Sequence, residues 1–174
     1  MRWIALLALL ALPATASAQT APPNAWSRGT TLEIFGGAAT TPSAMETYGS
    51  AVGWELTHRF EIQGVGAWFP QSKKRDEFAA DLKLLINLTR PSIVVPYIGG
   101  GAGLYQGSFE RTKAGTDPTA VLAAGLHLYV RRHLSIRPEA TVRFVIDRSD
   151  VYRVATITFA VAYHFEEHAV RTAR

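Results

Sequence analysis

The sequence predicts an all-β fold: an eight-stranded antiparallel up-and-down barrel that crosses a membrane. Three observations lead to this expectation. The chain opens with a pattern typical of an export signal, it is 48% hydrophobic with only 18% charged residues, and no later segment approaches the ~20 apolar residues that a spanning helix needs. Because only helices and closed barrels satisfy every backbone hydrogen bond inside a bilayer, a closed barrel is the remaining membrane solution.

Residues 1–18 are predicted to be a secretory signal peptide. Arg2 supplies the positive charge, residues 3–12 are apolar but too short to span a bilayer, and Ala16-Ser17-Ala18 predicts cleavage after Ala18. An uncleaved membrane anchor is the alternative, and the short apolar run argues against it. Residues 19–29 are then expected to be a leader, residues 30–165 the barrel domain, and residues 166–174 a polar periplasmic tail.

Charge and cysteine content exclude several function classes. The chain has 18 Lys and Arg against 14 Asp and Glu, and no basic cluster alternates with aromatics as a nucleic-acid-binding face requires. It has no cysteine, so we expect neither a disulfide framework nor a lipid-anchored cysteine. The 5 histidines show no metal-ligand spacing, and we predict no cofactor.

Each strand is predicted from apolar side chains that alternate with polar or small ones, as in barrels with one face toward lipid. In chain order, with one outward and one inward residue of each, the strands are 30–38 (Leu32, Glu33), 50–59 (Trp54, Glu55), 61–69 (Ile62, Glu61), 78–89 (Leu82, Asp81), 95–105 (Ile98, Tyr97), 121–131 (Leu128, His127), 135–146 (Val142, Arg143) and 152–165 (Phe159, Thr158). The even number of strands fits a single-chain bacterial barrel.

The predicted connections alternate in length. Residues 58–62, 89–94 and 131–135 form the shorter turns, and residues 40–49, 70–77, 106–118 and 147–151 join the other ends. In outer-membrane barrels the short turns face the periplasm and the longer loops face outside. The basic segment 71–76 is then an outward loop, either a solvated tip or a contact for lipopolysaccharide phosphates.

The inward faces carry charges of both signs. An eight-stranded barrel is just filled by its side chains, so we predict a network of ion pairs rather than an open pore. A path for protons, ions or small solutes is the alternative. The predicted interior residues are Glu33, Glu55, Arg59, Glu61, Asp81, Lys83, His127, Arg137, Glu139 and Arg143.

Aromatic residues near the predicted strand ends are expected to form girdles at the two membrane interfaces, as in other outer-membrane barrels. Ordinary core aromatics are the alternative. The residues concerned are Trp54, Trp68, Phe69, Tyr105, Tyr163 and Phe165.

No catalytic site is predicted. Glu55 and Glu61 flank a predicted turn and suggest acid–base chemistry, but Arg59 and the charged interior account for them better. His133-Leu134-Ser135 resembles the His-x-Ser pair of outer-membrane lipid A deacylases. It lies at a turn predicted to face the periplasm, however, and its flanking residues do not match.

Three local features resemble the small outer-membrane β-barrel family, the transmembrane domain of outer-membrane protein A and its relatives. Residues 96–103 (PYIGGGAG) are similar to the family's PYxGxGxG strand, and Arg137-Pro138-Glu139 resembles a strand opening with an inward Glu. The third is a C-terminal signal for the barrel-assembly machinery, with Thr158, Ala160, Tyr163 and Phe165 at its positions. Ala160 stands where Gly is usual, and nine residues follow Phe165.

The resemblance covers roughly residues 30–165. It implies a monomeric integral outer-membrane protein of a Gram-negative-type bacterium, surrounded by lipid and lipopolysaccharide, with a role in envelope integrity or as a surface scaffold. Two alternatives stay open. One is a narrow, porin-like channel or transporter for small or hydrophobic solutes. The other is a soluble periplasmic lipocalin-like ligand binder, which would need a mostly apolar interior.

Overall fold

The structure, a computed structural model, describes residues 29–40, 44–70, 76–90, 92–107, 115–131, 133–147 and 150–165. The predicted signal peptide, leader residues 19–28, the basic residues 71–75 and the tail 166–174 lie outside the described residues. In the part that is described, no helix is long and apolar enough to cross a membrane.

Eight strands form a closed antiparallel barrel in which neighbours in sequence are neighbours in the sheet. The strands are β1 (Thr30–Thr40), β2 (Ala44–Glu55), β3 (Phe60–Phe69), β4 (Glu77–Asn87), β5 (Val94–Gly107), β6 (Gly115–Arg131), β7 (Leu134–Asp147) and β8 (Asp150–His164). The predicted fold class is therefore confirmed. Successive side chains of a strand point to opposite faces, so alternation in the sequence becomes an apolar exterior and a polar interior.

The barrel closes where β1 pairs with β8. Their register runs from Thr31 opposite His164 to Thr40 opposite Ala155. Beyond the ladder, the backbone N–H of Phe165 donates to the carbonyl of Thr30 at 2.9 Å. Closure gives each of the eight described strands two partners, which removes the unpaired edges that an open sheet would expose.

Two strands extend six residues further toward the longer-loop end than the sequence predicted. β2 begins at Ala44 rather than at residue 50, and β6 begins at Gly115 rather than at residue 121. The predicted loops 40–49 and 106–118 are therefore too long. These strand ends have no apolar alternation because they extend past the apolar band of the exterior. They are held by the backbone ladder and by local side-chain contacts, such as the ring contact of Tyr48 with Trp68 and the hydrogen bond from Thr119 to Asp81.

The first short turn begins earlier than predicted. β2 ends at Glu55 and β3 begins at Phe60. Between them, the Thr57 hydroxyl accepts hydrogen bonds from the backbone N–H groups of Arg59 and Phe60, both at 3.1 Å. Because this hydroxyl satisfies the turn's own amides, the chain leaves the ladder before residue 59. Arg59 is exposed in the turn, and its prediction as an interior residue is wrong.

The exterior carries a continuous apolar band around the barrel. Mid-strand residues such as Ile34, Leu82, Leu122 and Ile157 are 59–63% exposed. A monomer in water rarely exposes an apolar surface of this extent. With the charged side chains turned inward, the distribution is that of a barrel that faces lipid.

Aromatic side chains border this band at both ends. Trp54, Tyr163 and Phe165 lie outward at the short-turn end and Trp68 at the other, all 41–49% exposed. Tyr163 and Phe165 meet edge-on, with ring centroids 4.9 Å apart. Phe69 and Tyr105 were predicted to belong to these girdles, which is wrong, since both are 0% exposed. The physical reason is parity. Each follows an outward residue, Trp68 or Leu104, and so points into the barrel.

Candidate functional site: the polar interior

Nine of the ten residues predicted to face inward do so, with Arg59 the exception. Seven of the nine, Glu33, Glu61, Asp81, Lys83, His127, Arg137 and Arg143, are 1–6% exposed. The side chains of Glu55 and Glu139 are each 13% exposed. Burial at this level makes every charge depend on a partner. Most of the described partners fall into three clusters.

The Arg137 cluster consists of Arg137, Glu33, Glu61 and Gln63. Arg137 Nη1 donates to Glu33 Oε1 and lies 3.4 Å from Glu61 Oε1. Gln63 Nε2 donates to the same Glu33 oxygen at 2.8 Å. One guanidinium thus serves two buried carboxylates that come from different strands, β1 and β3.

The Lys83 cluster surrounds the carboxylate of Glu139. Lys83 Nζ and the Thr141 hydroxyl donate to Glu139 Oε1 at 2.7 and 2.8 Å. The Tyr97 hydroxyl donates to Glu139 Oε2 at 2.8 Å. The Tyr97 ring also lies under the guanidinium of Arg137, 4.9 Å from Cζ to ring centroid. Tyr97 therefore links this cluster to the Arg137 cluster through a cation–π contact.

The Arg143 cluster lies nearer the longer-loop end. Arg143 contacts Asp81 Oδ2 through Nε at 2.8 Å and through Nη2 at 2.7 Å. The Thr119 hydroxyl donates a hydrogen bond to the other oxygen of this carboxylate, Asp81 Oδ1, at 3.5 Å. Charge-assisted hydrogen bonds of this kind are shorter and stronger than neutral ones. The Arg143–Asp81 ion pair therefore connects β7 with β4 across the lumen.

Above the Arg143 cluster the interior becomes apolar. We call this layer the apolar cap: Ala39, Ala67, Phe69, Ala79, Tyr105, Val145 and Val154, all 0–6% exposed. The rings of Phe69 and Tyr105 lie 5.8 Å apart, and Arg143 Cζ lies 5.9 Å from the Phe69 centroid. The cap thus rests directly on the charged clusters and fills the lumen toward the longer loops.

Glu77 is an interior carboxylate that was not predicted from the sequence. It is 4% exposed, and its Oε2 accepts a hydrogen bond from the Tyr105 hydroxyl. Residue 77 belongs to the predicted loop 70–77. It lies an even number of positions from Asp81 and Lys83, so a strand that begins at residue 77 would point this side chain inward as well. This pair gives the apolar cap a buried polar contact.

Glycine makes the close packing of the clusters possible, as two positions show. A Cβ on Gly125 would lie 2.5 Å from the Tyr97 hydroxyl and 2.6 Å from the carbonyl oxygen of Pro138. A Cβ on Gly53 would collide with the carboxylate of Glu61. Larger residues at these positions would displace the side chains that reach the Arg137 and Lys83 clusters.

His127 is buried among aromatic side chains near the short-turn end, at 1% exposure. Its ring centroid is 4.7 Å from that of Tyr97 and 5.8 Å from that of Tyr129. Its Nε2 is 3.9 Å from Glu61 Oε2, too far for a hydrogen bond. His127 therefore fills space between tyrosines rather than completing a cluster.

At the short-turn mouth, Ser135, His164 and Glu55 lie in the order of a hydrolase triad. Ser135 Oγ is 2.9 Å from His164 Nε2, and His164 Nδ1 is 3.6 Å from Glu55 Oε1. Ser135 is 0% exposed, which leaves no approach for a substrate. Its backbone lies inside ladders with β6 and β8, which use the N–H groups that an oxyanion hole would need. We interpret the trio as polar contacts that fix the mouth: a hydrogen bond between Ser135 and His164, and a longer contact between His164 and Glu55.

No group of three or more His, Cys, Asp or Glu residues within the described ranges could hold a metal ion. The histidines at the short-turn end are separated by tyrosine rings instead. Tyr129, for example, lies 5.2 Å from His164, centroid to centroid.

No protein-family model and no curated protein matches the chain. Its fold resembles the N-terminal β-barrel domain of OprF from Pseudomonas aeruginosa, with a TM-score of 0.66 and 14% identity over 80% of this chain and 98% of that one. It also resembles Neisserial surface protein A, with a TM-score of 0.63 and 11% identity over 78% and 96% of the two chains.

The same fold carries an enzyme as well. The outer-membrane enzyme PagL matches with a TM-score of 0.52 and 12% identity over 78% of this chain and 99% of that one. At identities this low, the similarity shows a shared fold and says nothing about a shared activity. The resemblance predicted from the sequence is confirmed at that level: the chain has the fold of small eight-stranded outer-membrane β-barrels.

Proposed function

We propose that this chain is an integral outer-membrane protein whose barrel is closed to solutes and whose role is structural, in envelope integrity or as a surface scaffold. The observation that carries the proposal is the double closure of the lumen. Three ion-pair clusters fill its middle, and the apolar cap fills it toward the longer loops.

The distribution of side chains supports a membrane location over the lipocalin-like alternative. A soluble ligand-binding barrel has a mostly apolar interior and a polar exterior. Here Arg137 and Glu61 lie inside at 1–2% exposure, whereas Ile34 and Phe159 lie outside at 63%. Moving this exterior into water would expose a wide apolar surface, and moving it into lipid would bury it.

The channel alternative requires a continuous polar path from one mouth to the other. The apolar cap interrupts that path at the longer-loop end, because Phe69, Tyr105 and Val154 are 0% exposed. The cavity beneath it has a volume of about 20 Å³, far below the ~300 Å³ or more of a typical small-molecule pocket. A solute could pass only if the cap and the clusters moved.

The proposal includes partners that act at the exterior. Lipid and lipopolysaccharide would surround the apolar band of a monomeric barrel. The barrel-assembly machinery would read residues 158–165 during insertion. Tyr163 and Phe165, 47% and 49% exposed, present their rings outward, whereas Thr158 and Ala160 face the interior.

Heat-modifiability is the first test. The chain without residues 1–18, purified in detergent, should run faster on SDS gels unboiled than boiled and should give a β-rich circular dichroism spectrum. In planar bilayers it should leave ion conductance at the background level. A protein that is soluble without detergent and shows no shift would refute the membrane assignment, and steady single-channel currents would refute the closed lumen.

A further inference from the structure

Seven buried side-chain nitrogen and oxygen atoms have no hydrogen-bond partner within the described part of the chain. Three of them belong to Asn87 and His127, near the short-turn end. The other four are Thr47 Oγ1, Gln63 Oε1, Arg137 Nη2 and Arg143 Nη1. All four residues are 1–4% exposed, so bulk water does not satisfy them. A buried polar atom without a partner is strongly unfavourable, and native proteins rarely keep one.

These four residues also share one location. Each lines the same cavity, which lies in the middle of the lumen below the apolar cap. The cavity volume is about 20 Å³, and one water molecule needs about 10–15 Å³ on the same measure. Unsatisfied atoms and space for a single water therefore coincide.

The chemistry of the four atoms matches water better than an ion. Arg137 and Arg143 each offer an N–H donor, whereas Gln63 Oε1 is an acceptor and a threonine hydroxyl can accept. A water molecule accepts two hydrogen bonds and donates two. An anion would meet the Glu33 and Glu139 carboxylates that also line the cavity, and a cation would meet Lys83 with the two arginines.

We propose that one structural water molecule occupies this cavity and joins the Arg137 and Arg143 clusters. It accepts from Arg137 Nη2 and Arg143 Nη1 and donates to Gln63 Oε1 and Thr47 Oγ1. Two clusters that the side chains leave separate then become one hydrogen-bonded network. The apolar cap above it, with Val145 and Val154 at 0% exposure, stays dry.

Nuclear magnetic resonance with methyl-labelled protein in lipid nanodiscs tests this directly. We expect cross-relaxation between water protons and the methyl groups of Ala51 and Val65, which line the cavity. The matched controls are the methyl groups of Val145 and Val154 in the apolar cap, where we expect none. Absence of the signal at Ala51 and Val65 would overturn the proposal, and so would equal signals at all four residues.

The substitution Thr47→Val gives a second test, in which the sign of the effect decides. If the water is bound, the variant removes one of its partners, and the folding equilibrium constant should fall roughly 2- to 10-fold. If nothing is bound, the same change removes an unsatisfied hydroxyl, and the constant should stay unchanged or rise. Either of these two results would overturn the proposal.

Thr31→Val is the matched control for that measurement. The Thr31 hydroxyl lies 3.4 Å from His164 Nδ1, and Thr31 does not line the cavity. Its removal should lower the folding constant with or without bound water, which calibrates what the loss of one threonine hydrogen bond costs in this barrel.

Discussion

Arg137→Ala is the perturbation to which this barrel should respond most strongly. Arg137 is 1% exposed and serves two carboxylates, Glu33 through a direct ion pair and Glu61 at 3.4 Å. Truncation leaves both acids buried without their cation. It also removes the cation–π contact with Tyr97 at 4.9 Å.

The size of the loss follows from these contacts. Removing one partner of a buried ion pair costs about 3–5 kcal/mol, and a desolvated cation–π contact adds about 1–2 kcal/mol. Because two acids share one guanidinium, we expect the free energy of unfolding to fall by about 5 kcal/mol, the upper end of the ion-pair range. Replacing all three residues with neutral ones, Glu33→Gln, Glu61→Gln and Arg137→Met, should restore most of that loss.

Urea-induced unfolding in lipid vesicles, followed by tryptophan fluorescence, measures these differences. Arg153→Ala is the control, since Arg153 lies on the exterior with Cζ 5.9 Å from the Phe144 ring and should change the free energy by about 0.5 kcal/mol or less. An Arg137→Ala barrel as stable as the control, with raised ion conductance, would refute the reasoning. It would mean that water in an open lumen already solvates Glu33 and Glu61.

Three other perturbations test separate parts of the structure. Replacing Phe69 and Tyr105 together with alanine should open the apolar cap but leave ion conductance in planar bilayers at the background level, because the charged clusters still close the lumen. A rise in conductance would show that the cap alone closes it. Gly125→Ala should lower the free energy of unfolding by about 1–3 kcal/mol. If urea-induced unfolding of this variant gives an unchanged free energy, the close packing at this site is contradicted. Leu82→Arg, in the middle of the apolar band, should cost about 2–4 kcal/mol and Ile93→Arg, at a turn, about 0–1 kcal/mol. Equal costs in vesicles would contradict the assigned band.

The direction of most interior side chains could be predicted from the sequence because a strand has a strict period of two. Once Val142 is outward, Arg143 must be inward, whatever the neighbouring strands do. Phe69 obeys the same rule, since it follows the outward Trp68 at the end of β3, but its prediction as a girdle residue is wrong. Two adjacent aromatics give no contrast of polarity, so the alternation there does not define a face.

The ion-pair partners could not be predicted because they depend on the register between strands and on the distance across the lumen. Arg137 meets Glu33, 104 positions away, and Lys83 meets Glu139, 56 positions away. No single strand encodes these separations. They follow from closure of the barrel, which fixes strand tilt and stagger together.

The β1–β8 ladder also determines how the chain reaches its folded state. Its first partners, Thr31 and His164, are 133 positions apart, whereas the other seven ladders join strands linked by short connections. Contacts that close long loops tend to form late. Until they form, β1 and β8 present two open edges beside an apolar exterior, the combination that promotes aggregation. The yield of folded protein therefore depends on two competing rates: the rate at which β1 pairs with β8, and the rate at which the open edges of incompletely folded barrels associate with one another.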